Sequence, residues 1–113
     1  MLWFLIGVLC WGCQTSPRQK ETALSHMRMG DSLLQEGKPT QALGELLKAT
    51  ELDPDDPQIH NVLGVVYLEK GMMLQAAEQF QKALALDPKY IEVRNNLGIA
   101  YLRSGKSRKR SRS

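Results

Sequence analysis

One block of residues recurs every 34 positions along this chain. Gly30, Gly64 and Gly98 fall in register, and so do Gly37, Gly71 and Gly105. Ala42/Ala76, Ala49/Ala83 and Pro54/Pro88 keep the same offset. A period of about 34 residues is what a helix–turn–helix repeat leaves in a sequence. Such a unit cannot bury its apolar face alone and must stack on its neighbours. The expected fold is all-α, a solenoid of helix pairs.

The middle unit, Pro57 to Tyr90, shows how the residues specify this. Ile59, Val62, Leu63, Val66 and Tyr67 recur at three- and four-residue steps, one helical face. Pro57 follows Asp55-Asp56, so an aspartate can cap the orphan amides while proline takes the first helical position. Gly71 is expected to stop that helix, because a left-handed C′ residue is cheap only for glycine. Leu74, Ala77, Phe80, Ala83 and Leu84 line the apolar side of the second helix, which ends at Asp87-Pro88. Gly64, lacking a β-carbon, marks where the two helices cross closely, with Ala76 and Ala83 doing the same on the partner.

Leu63-Gly64, Tyr67, Gly71, Ala76, Phe80, Ala83 and Pro88 together resemble the tetratricopeptide repeat. In the first unit Gly30, Gly37, Ala42, Ala49 and Pro54 match; Met29, Leu33 and Leu46 replace the usual leucine, tyrosine and aromatic. A third unit opens with Leu97-Gly98, Tyr101 and Gly105 and then stops matching. The resemblance implies two full repeats, 23–56 and 57–90, and half of a third, 91–105. At least about three repeats are usually needed for independent stability. Self-association through the incomplete third repeat, or a partner that completes the stack, is therefore expected.

The chain carries 15 Lys and Arg against 12 Asp and Glu in 113 residues. Five of the basic residues lie in the segment 106–113, so the repeats themselves are slightly acidic. Such a segment cannot bury an apolar face and is expected to be a disordered basic tail. It either meets anionic lipid or nucleic acid or is an accident of a truncated or frame-shifted reading.

Met1 to Cys13 contains no charged side chain. At 1.5 Å per residue such a segment spans about 20 Å, short of a bilayer core near 30 Å. The length suits the apolar region of a signal peptide. It closes on Gly12-Cys13 before a polar stretch, which is similar to the lipobox of bacterial lipoproteins. That resemblance implies a signal over 1–12, lipidation of Cys13, and a tether over 13–22. Cys10 stands where an aliphatic residue is usual, and no Lys or Arg precedes the apolar run. An uncleaved anchor or an ordinary secretion signal is the alternative. Cys10-Trp11-Gly12-Cys13 also spells C-x-x-C, but without the folded context or further ligands that redox or zinc chemistry requires.

Stacked helix pairs curve into a groove lined by the first helix of each unit. Carried over from the family, the groove positions are Leu24, Met27, Asp31 and Leu34 in the first unit, Gln58, Asn61, Val65, Leu68 and Glu69 in the second, and Glu92, Asn95, Ile99, Leu102 and Arg103 in the third. The expected protein-binding wall is an apolar set, Leu34, Val65, Leu68, Ile99 and Leu102, beside the amides Asn61 and Asn95. An amide both donates and accepts, which suits the backbone of an extended peptide. Repeat domains that clamp a terminal carboxylate use Lys and Asn where this chain has Met27 and Asp31. His26 and His60 are equivalent positions without further ligands nearby in sequence, so packing is expected rather than metal binding. No nucleophile elbow, metalloprotease motif or phosphate-cradling glycine loop is present. Neither enzymatic activity nor a cofactor is expected.

A lipoprotein signal followed by a short repeat array is similar in layout to the outer-membrane pilotins of type IV pilus assembly, the PilF/PilW type. The expected function is a membrane-tethered scaffold for protein–protein interaction in the bacterial envelope, facing the periplasm from the outer membrane. A generic periplasmic adaptor, anchored at the inner membrane or secreted, and a cytosolic repeat protein with a nucleic-acid-binding tail are the alternatives.

Overall fold

The computed structural model describes the backbone of residues 15–112 and the side chains of residues 15–105. Five helices fill it: α1 (Pro17–Gln35), α2 (Pro39–Leu52), α3 (Pro57–Glu69), α4 (Met73–Leu86) and α5 (Ile91–Arg112). The signal segment and Cys13 lie outside the described residues. Among the described residues no helix is long and apolar enough to cross a membrane.

Local chemistry sets the boundaries. Proline opens α1, α2 and α3, where its missing N–H costs nothing. Asp56 Oδ1 accepts from the Gln58 backbone N–H at 2.9 Å and caps α3. Gly37 and Gly71 adopt φ of 77° and 76°. At the second of these, the Gly71 N–H reaches the Leu68 carbonyl and the Met72 N–H that of Tyr67, closing a Schellman turn. The same pair of bonds joins Gly37 to Leu34 and Lys38 to Leu33 one repeat earlier.

Two boundaries differ from expectation. The segment 13–22 is not all tether, because α1 begins at Pro17. Ser16 Oγ accepts from the Gln19 N–H while Gln19 Oε1 accepts from the Ser16 N–H, a complete capping box. The helix of the third unit also does not stop at Gly105; it runs on to Arg112, where a disordered tail was expected. Gly105 has no left-handed backbone. Among the described residues no further helix folds back onto this stretch.

Packing follows the hairpins. An ideal Cβ on Gly64 would lie 2.7 Å from Phe80 Cδ1, and one on Gly30 would lie 2.8 Å from Leu46 Cγ. The large side chain of each second helix thus sits directly on the bare glycine of the first. Phe80 and Leu46 are fully buried, each stabilising the fold by about 1.5–3 kcal/mol. Ala76 and Ala83 are buried at the same crossing, and Pro88 sits exposed in the turn before α5. Two core clusters result, one from α1, α2 and α3 and one from α3, α4 and α5, with half-buried Tyr67 packed against both. Leu74, expected on the apolar side of α4, is mostly exposed, and half-buried Met73 packs against the second core instead.

Gly98 departs from its equivalents. It is exposed, and nothing lies within 4 Å of where its β-carbon would be. A close crossing needs a second helix, and none lies against this face of α5 among the described residues.

Candidate protein-binding groove

The first helices of the three units present a depression of about 340 Å³. Met27, Arg28 and Asp31 of α1 form one wall, and Gln58, Asn61 and Val62 of α3 form the floor. Tyr90 and Glu92, at the start of the third unit, close the far side. Two carboxylates against one guanidinium leave its mouth slightly acidic.

Asn61 holds the centre. It is buried, and its Oδ1 accepts from Asn96 Nδ2 at 2.9 Å. Burial pushes the pKa of the neighbouring Tyr90 hydroxyl up, and the Glu92 carboxylate adds to the effect. The amide floor is thus tied to the third unit through the Asn61–Asn96 bond.

Most of the other expected groove residues lie elsewhere. Asn95 is exposed and does not line the depression; the amide that meets Asn61 belongs to its neighbour Asn96. The rotation between successive helix pairs shifts the contact by one residue, so equal repeat positions do not stack atom over atom. Leu68 is 8% exposed and belongs to the second core, against which half-buried Val65 packs. Leu34 packs against the first core. Ile99 and Leu102 are exposed on α5, at 39% and 65%, beyond the depression. Of the seven expected residues Asn61 alone lines this depression; of the remaining family positions Met27, Asp31, Gln58 and Glu92 line it, and Leu24, Glu69 and Arg103 do not. Tyr90 carried no sequence signal, because the equivalent position of the preceding repeat is the capping residue Asp56.

The two histidines brace the hairpins. His26 Nδ1 donates to Glu45 Oε2 at 2.7 Å. His60 Nδ1 lies 2.8 Å from the Gln79 side-chain amide, and its Nε2 donates to the Pro54 carbonyl at 2.6 Å. Both pairs link the first helix of a unit to the second, 19 residues on. The bond from His26 holds the Glu45 carboxyl below its ordinary range; burial works against it, and the charge of Lys48 adds to it.

Residues 27–91 match a family model described as the tetratricopeptide repeat, and residues 80–110 match a second model of the same description. Among solved structures, the second such domain of Spaghetti (RPAP3), bound to an HSP90 peptide, superposes with a TM-score of 0.75 at 22% identity. That match covers 79% of this chain and 82% of the other. The second domain of human RPAP3, in complex with an HSP70 peptide, gives 0.74 at 21% identity, covering 80% and 76%. PilF of Pseudomonas aeruginosa gives 0.71 at 32% identity over 78% of this chain, which spans 40% of the PilF chain. No curated protein matches the sequence.

Proposed function

Because the chain belongs to the tetratricopeptide-repeat family, we propose that it is a membrane-tethered scaffold of the bacterial envelope, gripping an extended segment of a partner protein along α1, α3 and α5. The observation that carries this reading is the depression around Asn61, polar at its floor and apolar at Met27 and Val62. Such a wall offers a peptide backbone its hydrogen bonds and its side chains a place to leave water. The apolar run ending at Gly12-Cys13 supports lipidation of Cys13 and an outer-membrane position facing the periplasm. Several acyl chains, at about 0.8 kcal/mol per buried methylene, anchor a protein stably. The likeness to PilF supports a role in type IV pilus assembly, and the resemblance in layout to the pilotins, which assist assembly of the secretin ring, implies the secretin subunit as the partner.

The RPAP3 domains hold peptides ending in Glu-Glu-Val-Asp. Here Asp31 and Glu92 flank the depression, so an acidic C-terminus is repelled.

Labelled palmitate, added to cells making the wild type or Cys13→Ala, tests the tether. Label on the wild type alone supports it; an unlabelled wild type removes it. Pull-down with the secretin subunit, with an acidic HSP90-type peptide as the negative control, tests the partner. Failure to capture the subunit at micromolar concentration favours the second reading, a general periplasmic adaptor.

A further inference from the structure

A second depression, of about 510 Å³, opens where the first and second units meet. Lys20 and Leu24 of α1 line one side, and Asp53, Asp55, Asp56 and Pro57 line the other. Asp53 stands apart from its neighbours. It is only 6% exposed, and a carboxylate so withdrawn from water is costly unless a cation or a donor meets it. Among the described residues its carboxylate enters no hydrogen bond and no ion pair. Neither oxygen is sealed in, so the access this side chain keeps is through the depression it lines.

The next repeat handles the same position differently. Asp87, 34 residues on, accepts from the Lys89 backbone N–H through Oδ1 at 3.2 Å. The corresponding donor for Asp53 is the Asp55 N–H, and no such bond forms. Asp56 is engaged in capping α3 through Gln58. Lys20, exposed on the rim, lies beyond ion-pair distance of all three aspartates. Three carboxylates against one ammonium leave the depression negative, with its most buried charge unanswered.

We infer that this depression seats one arginine side chain of the extended segment gripped by the groove, an inference that rests on the peptide-binding reading above. A guanidinium is more weakly hydrated than an ammonium, so it loses less on leaving water to meet a buried carboxylate. Its methylene stem can lie along Leu24 and Pro57. A metal ion fits less well, because among the described residues no three carboxylate, imidazole or thiolate groups are placed to share one.

The place is continuous with the depression around Asn61. Lys20, Leu24, Met27 and Asp31 fall at three- and four-residue steps on one face of α1, and Pro57 adjoins Gln58 on α3. The helical rise sets the two depressions about 10 Å apart, which an extended chain crosses in about three residues. The arginine therefore lies about three positions from the residue seated at Asn61. Asp31 and Glu92 carry the same sign of charge along the groove, which favours a basic segment.

The full chain, isotopically labelled in a mild detergent, is titrated with Nα-acetyl-arginine amide while its backbone amide resonances are followed. Saturable shifts are expected at Leu24, Asp53 and Asp55. The citrulline counterpart, of the same shape without the charge, is expected to bind at least about tenfold more weakly. Asp53→Asn should lose arginine affinity by a similar factor, and Asp55→Asn, at an exposed position, by less. Citrulline binding as tightly as arginine, calcium chloride displacing arginine from Asp53, or no shift at Asp53 overturns the inference. The secretin pull-down, repeated with Asp53→Asn, separates this site from the scaffold reading. Equal capture by wild type and variant leaves the scaffold standing and overturns the arginine seat. Arginine bound at Asp53 without capture of the subunit supports the seat and removes the secretin as partner.

Discussion

His60 and Arg94, 34 residues apart, reach the same backbone atom of successive repeats. His60 Nε2 donates to the Pro54 carbonyl at 2.6 Å, and Arg94 Nη2 donates to the Pro88 carbonyl at 3.0 Å. Each side chain leans back over the turn by which its unit follows the last one. His60 is buried and has a second partner in Gln79; Arg94 is exposed. Truncating His60 to Ala removes a buried ring and two part-buried hydrogen bonds, and should cost about 1–3 kcal/mol. Chemical denaturation of the two single variants checks this, Arg94→Ala being expected to lose clearly less.

Gly64 and Gly98 form a matched pair of sites in different surroundings. Gly64→Ala drives a methyl into the Phe80 ring and should cost about 1–3 kcal/mol through overpacking. Gly98→Ala meets open space and should be neutral or stabilise by up to about 1 kcal/mol, the gain in helix propensity. Thermal midpoints at low protein concentration decide it, and equal losses at both sites would contradict the packing described.

The Asn61–Asn96 bond predicts a coupling that Asn95 lacks. A double-mutant cycle with Asn61→Ala and Asn96→Ala should show about 0.5–1.5 kcal/mol of interaction. Asn61→Ala and Asn95→Ala should add without interaction. Coupling to Asn95 in place of Asn96 would restore the register expected from repeat spacing alone.

Acid should weaken the first hairpin through Glu45. Its carboxyl sits below the ordinary value of 4.5, chiefly through the His26 hydrogen bond. The unfolded chain therefore takes up this proton first as pH falls. The stabilisation is complete above the ordinary carboxylate range and disappears as pH drops through the lowered folded value. Glu45→Gln should flatten that acid limb when thermal midpoints are followed from neutral to acid pH. An unchanged slope would mean that the pair makes no contribution.

Much of this architecture can be read from residues whose roles are local. Pro57 after Asp56, and Gly71 with a left-handed backbone, mark helix ends by chemistry confined to a few neighbours. The Gly64–Phe80 crossing is legible because the 34-residue register repeats it as Gly30–Leu46. The capping box at Ser16 was equally legible, yet the polar composition around it pointed to a flexible tether. What spacing alone does not carry is the rotation between helix pairs. That rotation decides that Asn96 meets Asn61, sends Leu68 into the core and brings Tyr90 to the edge of the depression. Gly98 fails for a related reason, since a glycine marks a crossing only when there is something to cross.

The two core clusters share only Tyr67 and a thin seam between adjacent hairpins. Solenoids built on nearest-neighbour contacts lose order unit by unit rather than all at once. In this chain, α5 is braced on one flank only, so its amides should trade their hydrogens with solvent sooner than those of α3, which is clasped on both. The last helix is thus the least protected element among the described residues, able to loosen while the two hairpins before it keep their shape.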